Sequence, residues 1–421
     1  MNLLFFLFVL ISFLVAGWRQ LHWAAAAGTP GPMAALTSAI ITSAGDAVTL
    51  ALGLVGVMAL FLGLMKVAEK GGLLKLAARG IRPILIRLFP EVPPDHPAMG
   101  AMVMNLAANL LGLGNAATPF GIKAMQELDT LNPEPGTATD AMALFLAINT
   151  SSITLLPTGV IALRAAAGSH NAAGILPTTL CATILSTTTA IIAAKLLARL
   201  SRRPRPTVSQ TAAAPPAAAA DEAISGFKMI LFFAGLAGLV FLMVIYGRQI
   251  SGWIVPGLVV VMLSFGFLRR VPVYEAFVDG AREGFEVALK IIPYLVAILV
   301  AVGMLKGSGV MEIVTRSIGP WTAPLGLPAE ALPMALLRPL SGSGAYGIMA
   351  SIINNPAIGP DSYIGYLVST LQGSTETTFY VMAVYFGAIQ VKRVRHTLAA
   401  GLLADLAGVI GAIIACKLFL G

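Results

Sequence analysis

The chain has 421 residues, of which 57% are hydrophobic and only 11% charged, and its mean hydropathy is +0.86. Soluble domains carry about 25% charged residues, so this composition, with its repeated apolar runs, is that of a polytopic membrane protein. The net charge of +8 then reads as basic loops on one membrane face, and no nucleic-acid partner is expected.

The first apolar run, MNLLFFLFVLISFLVAGW, lacks a basic n-region and is read as a retained span, although AAAA at 24–27 has some cleavage-site character. Further runs follow near 46–66, 139–164, 172–199, 225–247, 249–268, 288–306, 362–390 and 397–419, giving about nine crossings. Residues 201–224, SRRPRPTVSQTAAAPPAAAADEAI, have no periodicity and are rich in Pro and Ala. They read as a cytoplasmic linker between a first half, 1–200, and a second, 225–421.

Each half holds a region that is neither clean span nor clean loop. Residues 67–138 open with VAEKGGLLKLAARGIRPILIRLF. Leu73, Leu76, Ile81 and Leu85 interleave there with Lys75, Arg79, Arg82 and Arg87, the pattern of an amphipathic surface helix broken at Gly80 and Pro83. A short apolar stretch with Asn105, Asn109, Asn115 and Thr118 follows. Residues 307–361 repeat the scheme: GSGVMEIVTRSIGP stands for GGLLKLAARGIRP, and PMALLRPLSGSGAYGIMASIINN is the broken apolar stretch. INTSSITLLPTGV and GSTETTFYVMAVY then occupy matching places.

The fold class expected is thus an all-α polytopic membrane protein of two repeats, each with an amphipathic surface helix and a re-entrant hairpin. Basic clusters orient it. Lys66 to Arg87, Arg199 to Arg205, Arg269 with Arg270, and Lys392 to Arg395 fall on one side if nine spans start inside. The repeats then have inverted topology, with the N-terminus cytoplasmic and the C-terminus outside.

Irregular backbone at membrane depth lines a cavity or is buried in protein. The hairpins near 97–121 and 329–357 are such backbone, and helix ends within them suit a polar or anionic solute. The polar clusters at 149–154 and 372–378 lie in the spans that follow. Hydroxyls there can bond back to their own helix, but a carboxylate at depth needs a partner or a role. Glu376 is therefore read as an ion-coupling site, for H⁺ or Na⁺, as a structural pair with Arg338, or as a neutral, protonated acid; Asp405 in the last run invites the same reading. Asp46 and Asp140, at span starts, read as cap residues.

Cys181 and Cys416 lie in apolar runs without a CxxC, and His22, His96, His170 and His396 fall at segment edges. No metal site and no cofactor is expected. SGSG at 341–344 lacks the first glycine of G-x-S-x-G, and no histidine lies at membrane depth as a base, so an enzyme is not expected.

NLAANLLGLGNAATPFGIKAM resembles the signature of bacterial spore maturation protein A. RPLSGSGAYG, GPDSYIGYLVSTLQGSTETTFYVMAVYFGA and RHTLAAGLLADLAG resemble spore maturation protein B. The chain is similar to a fusion of the two, joined at 201–224. Both carry a nucleoside recognition, or Gate, domain shared with concentrative nucleoside transporters and the ferrous iron transporter. The resemblance implies a transporter-like core in which hairpins and the spans after them bind solute. It points to Asn109, Asn115, Thr118, Ser341, Ser343, Gln372, Thr375 and Glu376 as ligand-binding candidates. Asn149, Ser151 and Ser152 join them from the first-half cluster.

The function expected is an inner-membrane transporter-like protein that binds a small polar or anionic solute between the hairpins. The alternative is a non-transporting scaffold in cell-envelope or spore maturation. Membrane lipid is the other expected partner, and the two surface helices offer faces for a homodimer.

Overall fold

In the computed structural model the described residues are 2–24, 30–112, 114–151, 154–200, 253 and 255–420. The expected linker at 201–224 and the run at 225–247 lie outside them. Among the described residues the protein is all-helical, with one isolated backbone bridge between Thr137 and Arg393.

The first helix, α1, spans Asn2–Leu21. The first repeat is α2 (Pro32–Lys70), α3 (Leu73–Leu88), α4 (Pro97–Leu110), α5 (Gly114–Asp129), α6 (Asp140–Thr150), α7 (Thr158–Ala166) and α8 (Leu176–Leu200). After α9 (Val255–Leu268) the order recurs: α10 (Val273–Gly307), α11 (Val310–Thr322), α12 (Leu332–Leu337), α13 (Gly342–Ile353), α14 (Tyr363–Ser374), α15 (Thr378–Ala388) and α16 (Thr397–Leu420).

The copies run antiparallel. The C-terminal end of α2 meets the N-terminal end of α10, with Lys66 2.7 Å from Glu283 and Lys70 2.8 Å from Asp279. Further along, Gly284 of α10 sits on Ala59, Gly303 on Ser43 and Gly307 on Ala39. Gly280/Gly284 and Gly303/Gly307 are each spaced by four. Such small-residue pairs let two helix backbones approach closely without relying on a hydrophobic drive that lipid does not supply. The same inversion relates α8 and α16, where Gly411 faces Ala182 and the Ser186 hydroxyl donates to the Ala404 carbonyl at 2.8 Å.

At 39 and 35 residues, α2 and α10 are each over 50 Å long at about 1.5 Å per residue. Two segments of the described chain, Ala172–Leu200 and Thr397–Leu420, are long and apolar enough by composition to cross a membrane. The apolar runs at 139–164 and 362–390 are each divided into two short helices, α6/α7 and α14/α15, at their polar clusters.

The amphipathic α3 forms as expected, with Leu74, Ala78 and Leu85 buried and Lys75, Arg79 and Arg87 exposed. It is not broken at Gly80 or Pro83. Proline removes one intrahelical N–H, and the rest of the ladder carries the helix through. Its counterpart α11 likewise contains Pro320. Both begin on a left-handed glycine, Gly72 at φ 89° and Gly309 at φ 85°, a conformation that glycine adopts without a Cβ penalty.

Candidate functional site

The site is built from helix ends. At the close of α6, the Thr150 hydroxyl donates to the Ala147 carbonyl at 2.9 Å and Ser151 donates to Ala147 and Ile148 at 3.0 and 3.2 Å. Pro157 then disfavours helix just before it, and α7 starts at Thr158. In the second repeat no proline stands at the interruption. The run after Gly373 has three closely spaced β-branched threonines, each a poorer helix former than alanine. Thr375 is extended, at φ −137° and ψ 163°, and α15 restarts at Thr378.

Each interruption meets the turn of its own helical hairpin. The Leu155 N–H donates to the Leu110 carbonyl at 2.9 Å, and Phe379 donates to the Pro339 carbonyl at 3.1 Å. Gly112, at φ +74°, turns α4 into α5 so tightly that a Cβ would strike the Leu156 carbonyl. The two interruptions are in turn joined to each other, the Glu376 N–H donating to the Thr150 carbonyl at 2.7 Å. Four breaks in helix, two from each repeat, thus converge on one place.

On the second-repeat side the charge is Arg338, at the end of α12 and only 5% exposed. Its Nη1 donates to the Thr377 hydroxyl at 3.2 Å and its Nη2 to the Thr375 carbonyl. Glu376 Oε2 stands 3.7 Å from Nη2, on a side chain that is 51% exposed. Arg338 Nε has no hydrogen-bond partner among the described residues. Behind the interruption, Asp405 of α16 accepts from the Thr378 hydroxyl at 2.7 Å.

On the first-repeat side the groups are neutral. Asn109 Nδ2 donates to Asn149 Oδ1 at 2.9 Å, and the Tyr385 hydroxyl reaches the same oxygen at 3.3 Å. Asn105 Nδ2 donates to Tyr385 at 3.1 Å and to the Ala117 carbonyl at 2.8 Å. Asn149 Nδ2 returns to Phe145 of its own helix at 2.9 Å. Tyr385 belongs to α15, so this amide chain also links the repeats.

Of the residues expected from sequence, Asn109 and Asn149 are brought together, as are Arg338, Thr375 and Glu376. Gln372 is buried beside Tyr346. The Ser341 hydroxyl caps α13, accepting from Gly344 N–H at 3.0 Å, and that of Ser151 bonds back to α6. Ser343 and Thr118 lie half-buried near the N-terminal ends of α13 and α5. Ser152 and the Asn115 side chain lie outside the described parts. Asn105, named in the first broken stretch, and Tyr385 are not among the binding candidates from sequence: both sit in apolar runs. A buried tyrosine hydroxyl that needs a partner is the signal that would have found Tyr385.

Two latches close the ends of the assembly. Residues 132–139, NPEPGTAT, and 355–362, NPAIGPDS, form the same turn before α6 and α14. Asn132 Oδ1 accepts from Glu134 N–H at 3.0 Å, and Asn355 Oδ1 accepts from Ala357 N–H at 3.1 Å. Gly136 and Gly359 have φ 80° and 72°. Thr139 and Ser362 cap the helices, accepting from Met142 and Gly365 at 3.1 and 3.0 Å. At one end Arg164, with its guanidinium fully buried, makes six hydrogen bonds, among them 2.9 Å to Asp361 and 2.6 Å to the Pro360 carbonyl. It also stacks 4.2 Å over Tyr366. Arg164 stands in TGVIALRAAAG, where a cation in an apolar run was a readable signal.

At the other end Lys392 and Arg393 N–H groups donate to the Gly136 carbonyl at 2.9 and 3.1 Å, and Arg395 stands 2.7 Å from Asp140. Beside this pair His396 is buried with both ring nitrogens unpartnered among the described residues. Burial, then Arg395, pulls its pKa below the ordinary 6.5, and Asp140 opposes them.

The nucleoside recognition (Gate) family matches twice, over residues 51–167 and 288–392. Spore maturation protein B of Bacillus subtilis (strain 168) is 44% identical over 177 residues, 41% of this chain and 98% of that protein. Spore maturation protein A of the same organism is 48% identical over 162 residues, 38% of this chain and 83% of that protein. Inner membrane protein YjiG of Escherichia coli (strain K12) is 36% identical over 90 residues, 21% of this chain and 59% of that protein. Among solved structures, CNTnw in an inward-facing substrate-bound state aligns over 98% of this chain and 90% of its own, with 15% identity and a TM-score of 0.47.

Proposed function

Because this chain belongs to the nucleoside recognition (Gate) family and is homologous in its two parts to spore maturation proteins A and B, we propose that it is a transporter-like protein of the bacterial inner membrane. It binds a small polar or anionic solute where the four helix interruptions meet. The observation that carries this reading is the chain of backbone bonds Leu110–Leu155, Thr150–Glu376 and Pro339–Phe379. Irregular backbone at membrane depth is tolerated where it is buried in protein or lines a wet cavity, and paired interruptions in two inverted repeats are the usual place for a transport site.

In this reading the halves 1–200 and 225–421 are the moving parts, joined by a cytoplasmic linker at 201–224. The paired helices α4/α5 and α12/α13 are the re-entrant hairpins. The Gly136–Arg393 end, close to the basic residues, faces the cytoplasm, and the Arg164–Asp361 end faces outside, as does the C-terminus. Alternating access releases one latch while the other holds. H⁺ or Na⁺ is the coupling ion. Ser341 has its hydroxyl committed to capping α13, which favours a non-enzymatic role.

A second reading has one observation in its favour: the Arg338–Glu376 pair lets the site neutralise itself without a ligand. The protein is then a membrane scaffold in envelope or spore maturation. A thermal-shift screen of the purified protein against nucleosides, amino acids, short peptides and organic anions separates the two. A ligand whose stabilisation vanishes in Glu376→Gln or Asn149→Leu supports the transport site. The scaffold reading gains if every compound leaves the unfolding temperature unmoved.

A further inference from the structure

Asp405 lies on α16 directly behind the interruption at 375–377 and is 5% exposed. Its Oδ2 accepts from the Thr378 hydroxyl, and its Oδ1 has no hydrogen-bond partner among the described residues. α16 is pressed onto the interruption by two glycines that bracket Asp405. The Thr378 methyl lies where a Gly401 Cβ would stand, and the Thr375 methyl where a Gly408 Cβ would stand. On the far side the Ser186 hydroxyl bonds the Ala404 carbonyl and seals α8 against α16. The carboxyl is therefore enclosed by the very segment that has to move if the junction opens.

An ionised carboxylate in this position has a single hydrogen bond. Arg338, across the interruption, directs its Nη groups to Thr375, Thr377 and Glu376, so it gives Asp405 no direct pair. A metal cation would need several oxygens, since hard cations take about six. Among the described residues the Thr378 hydroxyl is the hydrogen-bond partner of Asp405, and no cluster of three His, Cys, Asp or Glu side chains is present. The neutral acid fits better: it needs no counter-charge and still accepts from the Thr378 hydroxyl.

We propose that Asp405 is a proton-binding site, protonated while the junction is closed and deprotonated when residues 375–378 move away and admit water. On opening, the Oδ1–H bond breaks, its electron pair stays on the carboxylate, and water takes the proton. The proposal rests on the transport reading and names its coupling ion.

The test is infrared difference spectroscopy of the full-length protein in lipid, titrated between about pH 5 and about pH 10. A carboxylic-acid C=O band that titrates reversibly in the wild type, is missing from Asp405→Asn and is retained in Asp405→Glu supports the site. Asp405→Asn mimics the neutral acid in shape, and Asp405→Glu keeps the test open if it folds poorly. A band that does not respond to pH overturns the proposal in favour of a locked structural acid. Absence of the band, with sodium chloride but not choline chloride stabilising the wild type and not Asp405→Asn, overturns it in favour of a metal cation. The band reports Asp405 whatever the chain transports. A titrating band with no solute bound in the thermal screen would sink the transport reading and leave the proton site standing.

Discussion

The Glu376 amide donates to the Thr150 carbonyl across 2.7 Å, so an interruption in one repeat completes the hydrogen bonding of the other. A carbonyl at the broken end of a helix has lost its intrahelical partner, and here a backbone group from the inverted copy replaces it. The Glu376 side chain is free of that duty. Its main chain is structural and its carboxylate is half in solvent.

This separation predicts unequal effects of neutralising Arg338 and Glu376. Glu376→Gln keeps the backbone bond and removes a 3.7 Å contact between a half-exposed carboxylate and a buried guanidinium that retains its Thr375 and Thr377 acceptors, which costs about 1 kcal/mol. Arg338→Gln strips donors from the Thr375 carbonyl and the Thr377 hydroxyl, both buried, at about 2–4 kcal/mol. Thermal unfolding of the two variants in the same detergent checks this. Equal losses would mean that Glu376 is held for structure.

The amide chain on the first-repeat side makes its own prediction. Tyr385→Phe leaves Asn105 and Asn149 short of a partner each and is expected to cost about 1–3 kcal/mol. Because the Tyr385 hydroxyl donates to the Asn149 amide oxygen, Asn149→Leu and Tyr385→Phe couple. A double-mutant cycle is expected to show about 0.5–2 kcal/mol of interaction; additive losses would count against the link between α6 and α15.

How much of this was legible in the sequence follows from range. The amphipathic α3, the duplicated order of elements, and the polar clusters at 149–154 and 372–378 are local patterns, and each could be read directly. That these clusters end helices was not read, because the flanks are apolar on both sides and the backward bonds of Thr150, Ser151 and Ser374 are of the kind that Thr183 and Ser369 also make inside unbroken helices. The repeated NPxxGxx[ST] turn was present in plain letters at 132–139 and 355–362, but it lies in loops where hydropathy gives no signal. Arg164, Asn105 and Tyr385 depend on partners far along the chain, and spacing alone could not supply them.

Close helix approach predicts opposite signs for two glycine substitutions. At Gly284 a Cβ would stand 2.7–2.8 Å from the Ala59 backbone, which cannot give way without moving α2. Gly284→Ala is expected to destabilise by about 1–3 kcal/mol. At Gly80 nothing lies within 4 Å, and the residue is inside α3, so Gly80→Ala is expected to stabilise by up to about 1 kcal/mol through helix propensity. Unfolding temperatures that move in the same direction would show that α2 and α10 are not packed backbone to backbone.

His396 predicts a pH dependence. Its folded-state pKa lies below the ordinary 6.5, chiefly because it is buried and then because Arg395 is adjacent. As pH falls through about 6.5 the unfolded chain takes up the proton before the folded one does, so stability is intact above that pH and declines below it. The wild type is expected to lose unfolding temperature from about pH 7 to about pH 5, and His396→Gln to lose less. A wild-type profile no steeper than that of the variant would remove His396 from the latch.

The two latches differ in burial, and this sets which end gives way first. Asp361 neutralises a guanidinium with no exposure at all, whereas Asp140 faces an Arg395 whose side chain is 25% exposed. Removing one partner of a buried pair strands the other charge, so Asp361→Asn is expected to cost about 3–5 kcal/mol. Asp140→Asn leaves a cation that water can reach and is expected to cost about 1 kcal/mol or less. Hydrogen exchange resolves the two ends in one experiment. In the wild type the amides of 390–396 are expected to exchange faster than those of 169–174, because the solvated latch opens at lower free energy. Asp361→Asn is expected to reverse that order, since the stranded Arg164 pushes its own end apart. The same order in both proteins would show that Arg164 is held by its carbonyl and hydroxyl acceptors alone, with the Asp361 charge adding nothing to the closure of that end.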